Sequence, residues 1–196
     1  MRTMNKTSRA VVAGSSILVG ALLLTGCTIN IGGTGMNDSM MGNSESTSGF
    51  SSNDIMFAQM MIPHHQQAVD MSTLAETRST NPEILALALQ IKDAQAPEIK
   101  QMTAWLESAG AGMDMGHDMG MGGMLTDEQM TALSNASGAE FDKLYLQGMI
   151  AHHEGAIQMA QMIVGSNNAE AKELAAAIIS SQTAEIEKMK TLLAGM

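Results

Sequence analysis

The chain has 196 residues, enough for one ordinary domain with tails. It carries 10 Lys and Arg against 20 Asp and Glu, a formal charge of −10 with no basic patch to neutralise phosphates, which excludes nucleic-acid binding. Aromatics are scarce and strand-favouring runs nearly absent, so the fold is expected to be all-α; methionine, at 21, far exceeds what core filling needs.

The first 26 residues read as an address. Arg2, Lys6 and Arg9 form a positive n-region, Val11 to Leu24 a short apolar h-region, and Leu24-Thr25-Gly26-Cys27 matches a lipoprotein cleavage signal. A plain transmembrane anchor is the competing reading, but the apolar run is short and contains Gly and Ser. Cleavage would leave Cys27 carrying the lipid, anchoring the protein outside the cytoplasm on the bacterial cell membrane. The mature chain would hold 7 Lys and Arg against 20 Asp and Glu, a formal charge of −13. Without a free thiol, it would have to hold soft metals through Met and His. Residues 27–53, rich in Gly, Ser, Asn and Thr, are expected to be a flexible tether, and the folded domain to span 54–196.

A first helix is expected from Asn53 or Asp54 to about Arg78, with Phe57, Met61, His64, Ala68, Met71 and Ala75 forming a stripe that Pro63 should kink. Asn81-Pro82-Glu83 opens a second helix that should run to about Ala109 and stop at Gly110. Leu85, Leu89, Ile99, Met102 and Leu106 are expected on its buried face, with a bend at Pro97. A Gly/Met-rich loop, 110–125, follows. Capping boxes at Thr126–Gln129 and Ser137–Glu140 open a short helix and then a long one. Tyr145, Met149, His152, Ala156, Met159 and Ile163 form the stripe of that long helix. Gly165 to Asn168 should end it and cap a last helix reaching about Ala194.

The two stripes are one pattern. Met60 to Met71 returns from Gly148 to Met159 at an offset of 88, laying His152 and His153 on His64 and His65. Gln95, Glu98, Ile99 and Met102 return as Gln182, Glu185, Ile186 and Met189 at an offset of 87. Two helical hairpins, 54–109 and 126–196, with helices of roughly 40 Å, predict an antiparallel four-helix bundle.

Four of the five histidines lie in these two pairs. Met61 and His64, like Met149 and His152, are spaced i,i+3 and share a helix face; Met60–His64 is an i,i+4 pair. Adjacent histidines point about 100° apart. His64 and His152 are therefore expected to face the bundle axis, and His65 and His153 to turn toward Glu98 or Glu185 as hydrogen-bond partners. A single such His is ordinarily a satisfied core residue and a Met stripe ordinarily packing. Two copies favour ligation, because four buried imidazoles are costly unless each is partnered. Thioether where a di-iron bundle has carboxylate moves the preference toward Cu(I), or its mimic Ag(I). Met113, Met115, Met119, Met121 and Met124 with His117 fall within 12 loop residues and are candidate ligands. The competing reading is a loop whose Met residues scavenge oxidants.

The duplicated Met-Ile-x-His-His-x-x-Ala-(Val/Ile)-x-Met element, with the later Gln-x-x-Glu-Ile-x-x-Met element, resembles domain-of-unknown-function family 305 over about residues 54–193. The resemblance implies an exported, ferritin-like four-helix bundle associated with copper binding and copper resistance. It implies His64, His65, His152 and His153 with Met61, Met71, Met149 and Met159 as the metal set. Ala151 in place of Pro63, and Gly148 in place of Met60, make the two halves unequal. The function expected is sequestration of Cu(I), or its transfer to a partner protein, without catalytic turnover. A ferritin-like metal-dependent oxidase and a metal-free structural or partner-binding module are the alternatives.

Overall fold

The computed structural model describes residues 49–113 and 122–196. The leader, Cys27, most of the tether, and the loop residues Met115, His117, Met119 and Met121 lie outside the described residues. Five α-helices and one 3-10 turn make up the described secondary structure, an all-α fold. No helix among the described residues is long and apolar enough to cross a membrane.

Capping chemistry sets most boundaries. Helix α1 (Ser52–Arg78) starts where Ser51 and Asp54 bond reciprocally, Asp54 N–H to Ser51 Oγ at 3.2 Å and Ser51 N–H to Asp54 Oδ2 at 2.8 Å. It is assigned without a break through Pro63. Helix α2 (Pro82–Ala109) begins under the Asn81 side chain and closes at Gly110, whose φ of 64° lies in the left-handed region. Helix α3 (Asp127–Asn135) carries the expected Thr126–Gln129 box. Helix α4 (Gly138–Ala160) departs from expectation: Ser137 makes no side-chain cap bond, because the chain enters the helix through a left-handed Gly138 (φ 59°). It also ends at Ala160, before Gly165, tightening into a 3-10 turn over Gln161–Ile163. Asn168 caps α5 (Ala169–Ala194) by accepting from the Glu170 and Ala171 N–H groups.

Two further expectations are corrected. Leu89 is 57% exposed and Leu85 only half-buried; Ile84, Leu87, Ala88 and Ile91 are buried instead. Stepping back from Met102 at helical spacing reaches Gln95, Ile91, Ala88 and Ile84, one position out of phase with Leu85 and Leu89. The packed domain also reaches back into the expected tether. Phe50 is buried with its ring centroid 5.0 Å from that of Trp105, and Asn168 Nδ2 donates to Gly49 O.

Helix α1 packs against α2, α4 against α5, and α1 against α4. All twelve stripe positions, six in each repeat, are buried. The apolar core forms two clusters. One takes Phe57, Met60 and Met61 with Met102, Trp105, Ala156, Met159 and Ala160; the other takes Met71, Ala75, Ile84, Leu87, Phe141, Tyr145 and Met149 with Met189. Between these two sets, on each of the four long helices, lie the buried polar residues His64 and His65, Gln95, His152 and His153, and Gln182 and Glu185. The core is thus interrupted mid-helix by a polar layer.

The repeats also complement each other in detail. Tyr145 shares a 3.0 Å hydrogen bond with Ser72 in a buried site. The equivalent positions of the other half are Phe57 and Ala160, which share the first cluster and need no such bond.

Candidate metal centre

The layer is built from equivalent positions. His64 on α1 and His152 on α4 are fully buried and face each other, with ring centroids 3.7 Å apart and planes tilted by 35°. Two imidazolium ions would repel strongly at that separation. Both rings are accordingly held neutral. Burial, then the neighbouring His65, lowers the His64 pKa from 6.5 to about 3; His153 adds to this, and the Gly122 carbonyl opposes it. Burial also holds His152 well below 6.5, reinforced by His64, His153 and His65 and only partly offset by the His64 backbone carbonyl, which lies near the ring but outside hydrogen-bond geometry.

His65 and His153 point the other way, as their spacing predicts. His65 Nε2 lies 2.7 Å from Glu98 Oε2, and His153 Nε2 lies 2.8 Å from Glu185 Oε2. Gln90 Nε2 steadies Glu185 by donating to Oε1 at 2.9 Å. A carboxylate accepts, so Nε2 carries a proton in each ring, which in a neutral imidazole leaves the lone pair on Nδ1. His64 is in the same state, since its Nε2 meets the Gly122 carbonyl oxygen at 3.2 Å and a carbonyl cannot donate. A ring fixed through one nitrogen with the other left open is how proteins orient metal-binding histidines.

The open nitrogens have no protein partner. Nδ1 of His64, His65 and His153, and both ring nitrogens of His152, are buried without a hydrogen bond, as is the whole Gln95 amide. Buried polar atoms are nearly always partnered, so five unpartnered ring nitrogens in one layer call for a cause. Among the described residues, no group of three or more His, Cys, Asp or Glu side chains is arranged to hold an ion. An ion in the layer would therefore need thioether sulfur or few ligands. That fits a soft monovalent ion, which accepts low coordination.

The thioethers flank the layer on both sides. Met61, Met71 and Met149 are fully buried, and Met60 and Met159 nearly so. Met60, Met61 and Met159 share one cluster, and Met71 and Met149 the other, so each cluster draws sulfur from both repeats. Met113 is 54% exposed at the near end of the Gly/Met loop. The layer also includes Gln95 and Gln182, which sequence reasoning did not single out for the site. Two further residues were missed: Gln67, which holds Leu125 by bonds at both ends of its amide, and Gly155, which lies against Gly122. Their signal was there, in the differing residues at one repeat position.

Two hairpins of one repeated pattern, meeting in a buried layer of paired imidazoles bordered by thioethers, define an all-helical protein with a duplicated His/Met centre. The family model described as Domain of unknown function (DUF305) matches residues 54–193, and the chain belongs to this family. A DUF305 protein from Streptomyces coelicolor, described as secreted, is 37% identical. That match has a TM-score of 0.69 and covers 74% of this chain and 93% of that one. CopM in its Cu(II)-bound form is 36% identical, covering 72% of this chain and 96% of CopM, with a TM-score of 0.61. CopM has also been solved in Cu(I)-bound, Ag-bound and apo forms. An uncharacterized protein of Acanthamoeba polyphaga mimivirus is 47% identical over 53 residues; the match spans 26% of this chain and 35% of that protein.

Proposed function

We propose that this protein binds Cu(I) outside the cytoplasm, tethered through the lipid on Cys27, and sequesters the ion or passes it to a partner protein in copper tolerance. Copper is its cargo, and no catalytic turnover is involved. The observation that carries this reading is the set of five unpartnered ring nitrogens on His64, His65, His152 and His153, in a layer bordered by buried methionines. Neutral imidazole and thioether are the ligands that favour Cu(I) and Ag(I) over harder ions. The likeness to CopM, solved with copper and with silver, supports the same ligand class. An antiparallel, ferritin-like four-helix bundle accounts best for long helices of 27, 28, 23 and 26 residues paired α1 with α2 and α4 with α5. The exposed Met113 and the Met-rich loop that follows it would collect ions for the buried layer.

One observation favours a second reading. Glu98 and Glu185 bring carboxylate to the same layer, the chemistry of ferritin-like oxidases. The test is metal analysis of full-length protein from copper-supplemented cells, with Zn and Fe measured together, followed by Cu(I) titration under reducing conditions. Copper should dominate, and Cu(I) should resist a competing chelator without oxygen uptake. His64→Ala with His152→Ala should abolish that resistance. Unchanged metal content in the double variant would make the layer structural, and oxygen consumption on adding Cu(I) would make the protein an oxidase.

A further inference from the structure

Positions 67 and 155 are equivalent in the 88-residue register, yet one is Gln and the other Gly. The structure uses both on the same short strap, residues 122–125. On the α1 side, Gln67 clamps it: Nε2 donates to Leu125 O at 2.9 Å, and Oε1 accepts from Leu125 N–H at 2.7 Å. On the α4 side, the strap runs directly over helix backbone. A Cβ on Gly155 would lie 1.9 Å from Gly122 O, and one on Gly123 would lie 2.3 Å from Ala151 O. Gly123 also needs its φ of 85°. Only glycine at these positions lets the strap come so close.

The result is a one-sided centre. The strap places the Gly122 carbonyl 3.2 Å from His64 Nε2, one helical turn from Gln67. His152, the repeat equivalent of His64, has no hydrogen bond on either ring nitrogen. One ring of the facing pair is thus fixed in tautomer and orientation, and its partner is not.

We infer that Gln67 and Gly155 are positioning residues which, through the Gly122 carbonyl, hold His64 with its Nδ1 lone pair presented to the metal, while His152 adapts to complete the site. This rests on the reading of His64 as a ligand. The device makes two sequence-equivalent histidines chemically unequal: His64 serves as the fixed first ligand and His152 as the second. Because the hydrogen-bond partners of a ligand histidine typically tune metal affinity 10- to 100-fold, loosening the strap should weaken binding about tenfold.

The experiment is nitrogen-15 NMR of the full chain with labelled histidine, metal-free and with Ag(I), alongside competition measurements of Ag(I) affinity. In the natural protein, metal-free His64 should show a protonated Nε2 and a bare Nδ1, and Ag(I) should shift Nδ1. Gln67→Met keeps the size but loses both bonds to Leu125. It should move His64 toward a tautomer-averaged pattern and raise the Ag(I) dissociation constant about tenfold. Gln67→Glu keeps the acceptor for the Leu125 N–H and should recover part of that loss. Gly155→Ala, pressing the strap from the other side, should reproduce the Gln67→Met pattern. If both disruptive variants only lower the melting temperature, leaving the His64 pattern and Ag(I) affinity unchanged, the positioning role is refuted and the copper reading stands. Ag(I) attached at His64 Nε2 would also refute it. If the natural protein shows no imidazole shift with Ag(I), the copper reading itself fails.

Discussion

Replacing His152 by Leu should make the metal-free protein more stable and the metal-loaded protein weaker. The ring is fully buried, and neither its N–H nor its lone pair has a partner. A buried polar group left unsatisfied costs about 1–3 kcal/mol. Leu is close to His in volume, so cavity and overpacking terms should stay small. The expected gain is therefore about 1–3 kcal/mol in the absence of metal, or roughly 3–10 °C in Tm. Urea denaturation of chelator-treated full chain, followed by helical circular dichroism, reads this directly, and the slope should not change. Adding Ag(I) at about 1,000 times its Kd should stabilise the natural protein by about 4.1 kcal/mol, and His152→Leu by little. The two proteins should thus exchange rank when the ion is added. The reasoning is refuted if metal-free His152→Leu is less stable by more than about 1 kcal/mol, the cost of disturbing a well-satisfied core residue, or if it keeps the full Ag(I) gain.

Acid should destabilise the metal-free protein early. The His64 pKa falls from 6.5 unfolded to about 3 folded, so the unfolded chain takes up the proton first. Stability is fully present above pH 6.5 and declines as pH falls toward 3. By pH 5, His64 alone should account for about 2 kcal/mol, with His152 adding to it; a flat profile between pH 7.5 and 5 in urea titrations would contradict this. Glu185→Gln should lower Cu(I) affinity about 10- to 100-fold against a chelator, and Glu98→Gln less, since its side chain is 18% exposed against 6% for Glu185. Equal, negligible losses would remove the carboxylates from the centre. Tyr145→Phe or Ser72→Ala alone should cost about 1–2 kcal/mol by stranding the buried partner hydroxyl, while the pair together should be nearly neutral. A double-mutant cycle in urea checks this, and strict additivity would contradict it.

Periodicity made the inner faces of α1 and α4 readable in advance, because a 3.6-residue stripe survives any local detail. It also turned His65 and His153 toward Glu98 or Glu185, since adjacent residues on a helix must diverge by about 100°; which histidine meets which carboxylate emerged only in the fold. Where two phases compete, leucine is a poor guide. Leu85 and Leu89 looked like core, but the register set by Gln95 and Met102 buries Ile91 and the smaller Ala88 instead. The Ser137 box failed because a left-handed glycine re-aimed the chain just inside the cap. Phe50 was lost in a low-complexity stretch, although a lone aromatic there had a Trp to meet. The strap was the least legible part. Its placement depends on absent side chains at Gly123 and Gly155, and absence leaves no periodic trace.

The sharing of the clusters between repeats has a consequence for how such a protein could be made. A chain with a single hairpin would carry one member of each histidine couple and half of each sulfur group, and so could assemble the layer only by pairing with another molecule. Joining the halves in one polypeptide makes assembly independent of concentration. It also frees each half to diverge, as Tyr145 and Ser72 have from Phe57 and Ala160, and Gln67 from Gly155.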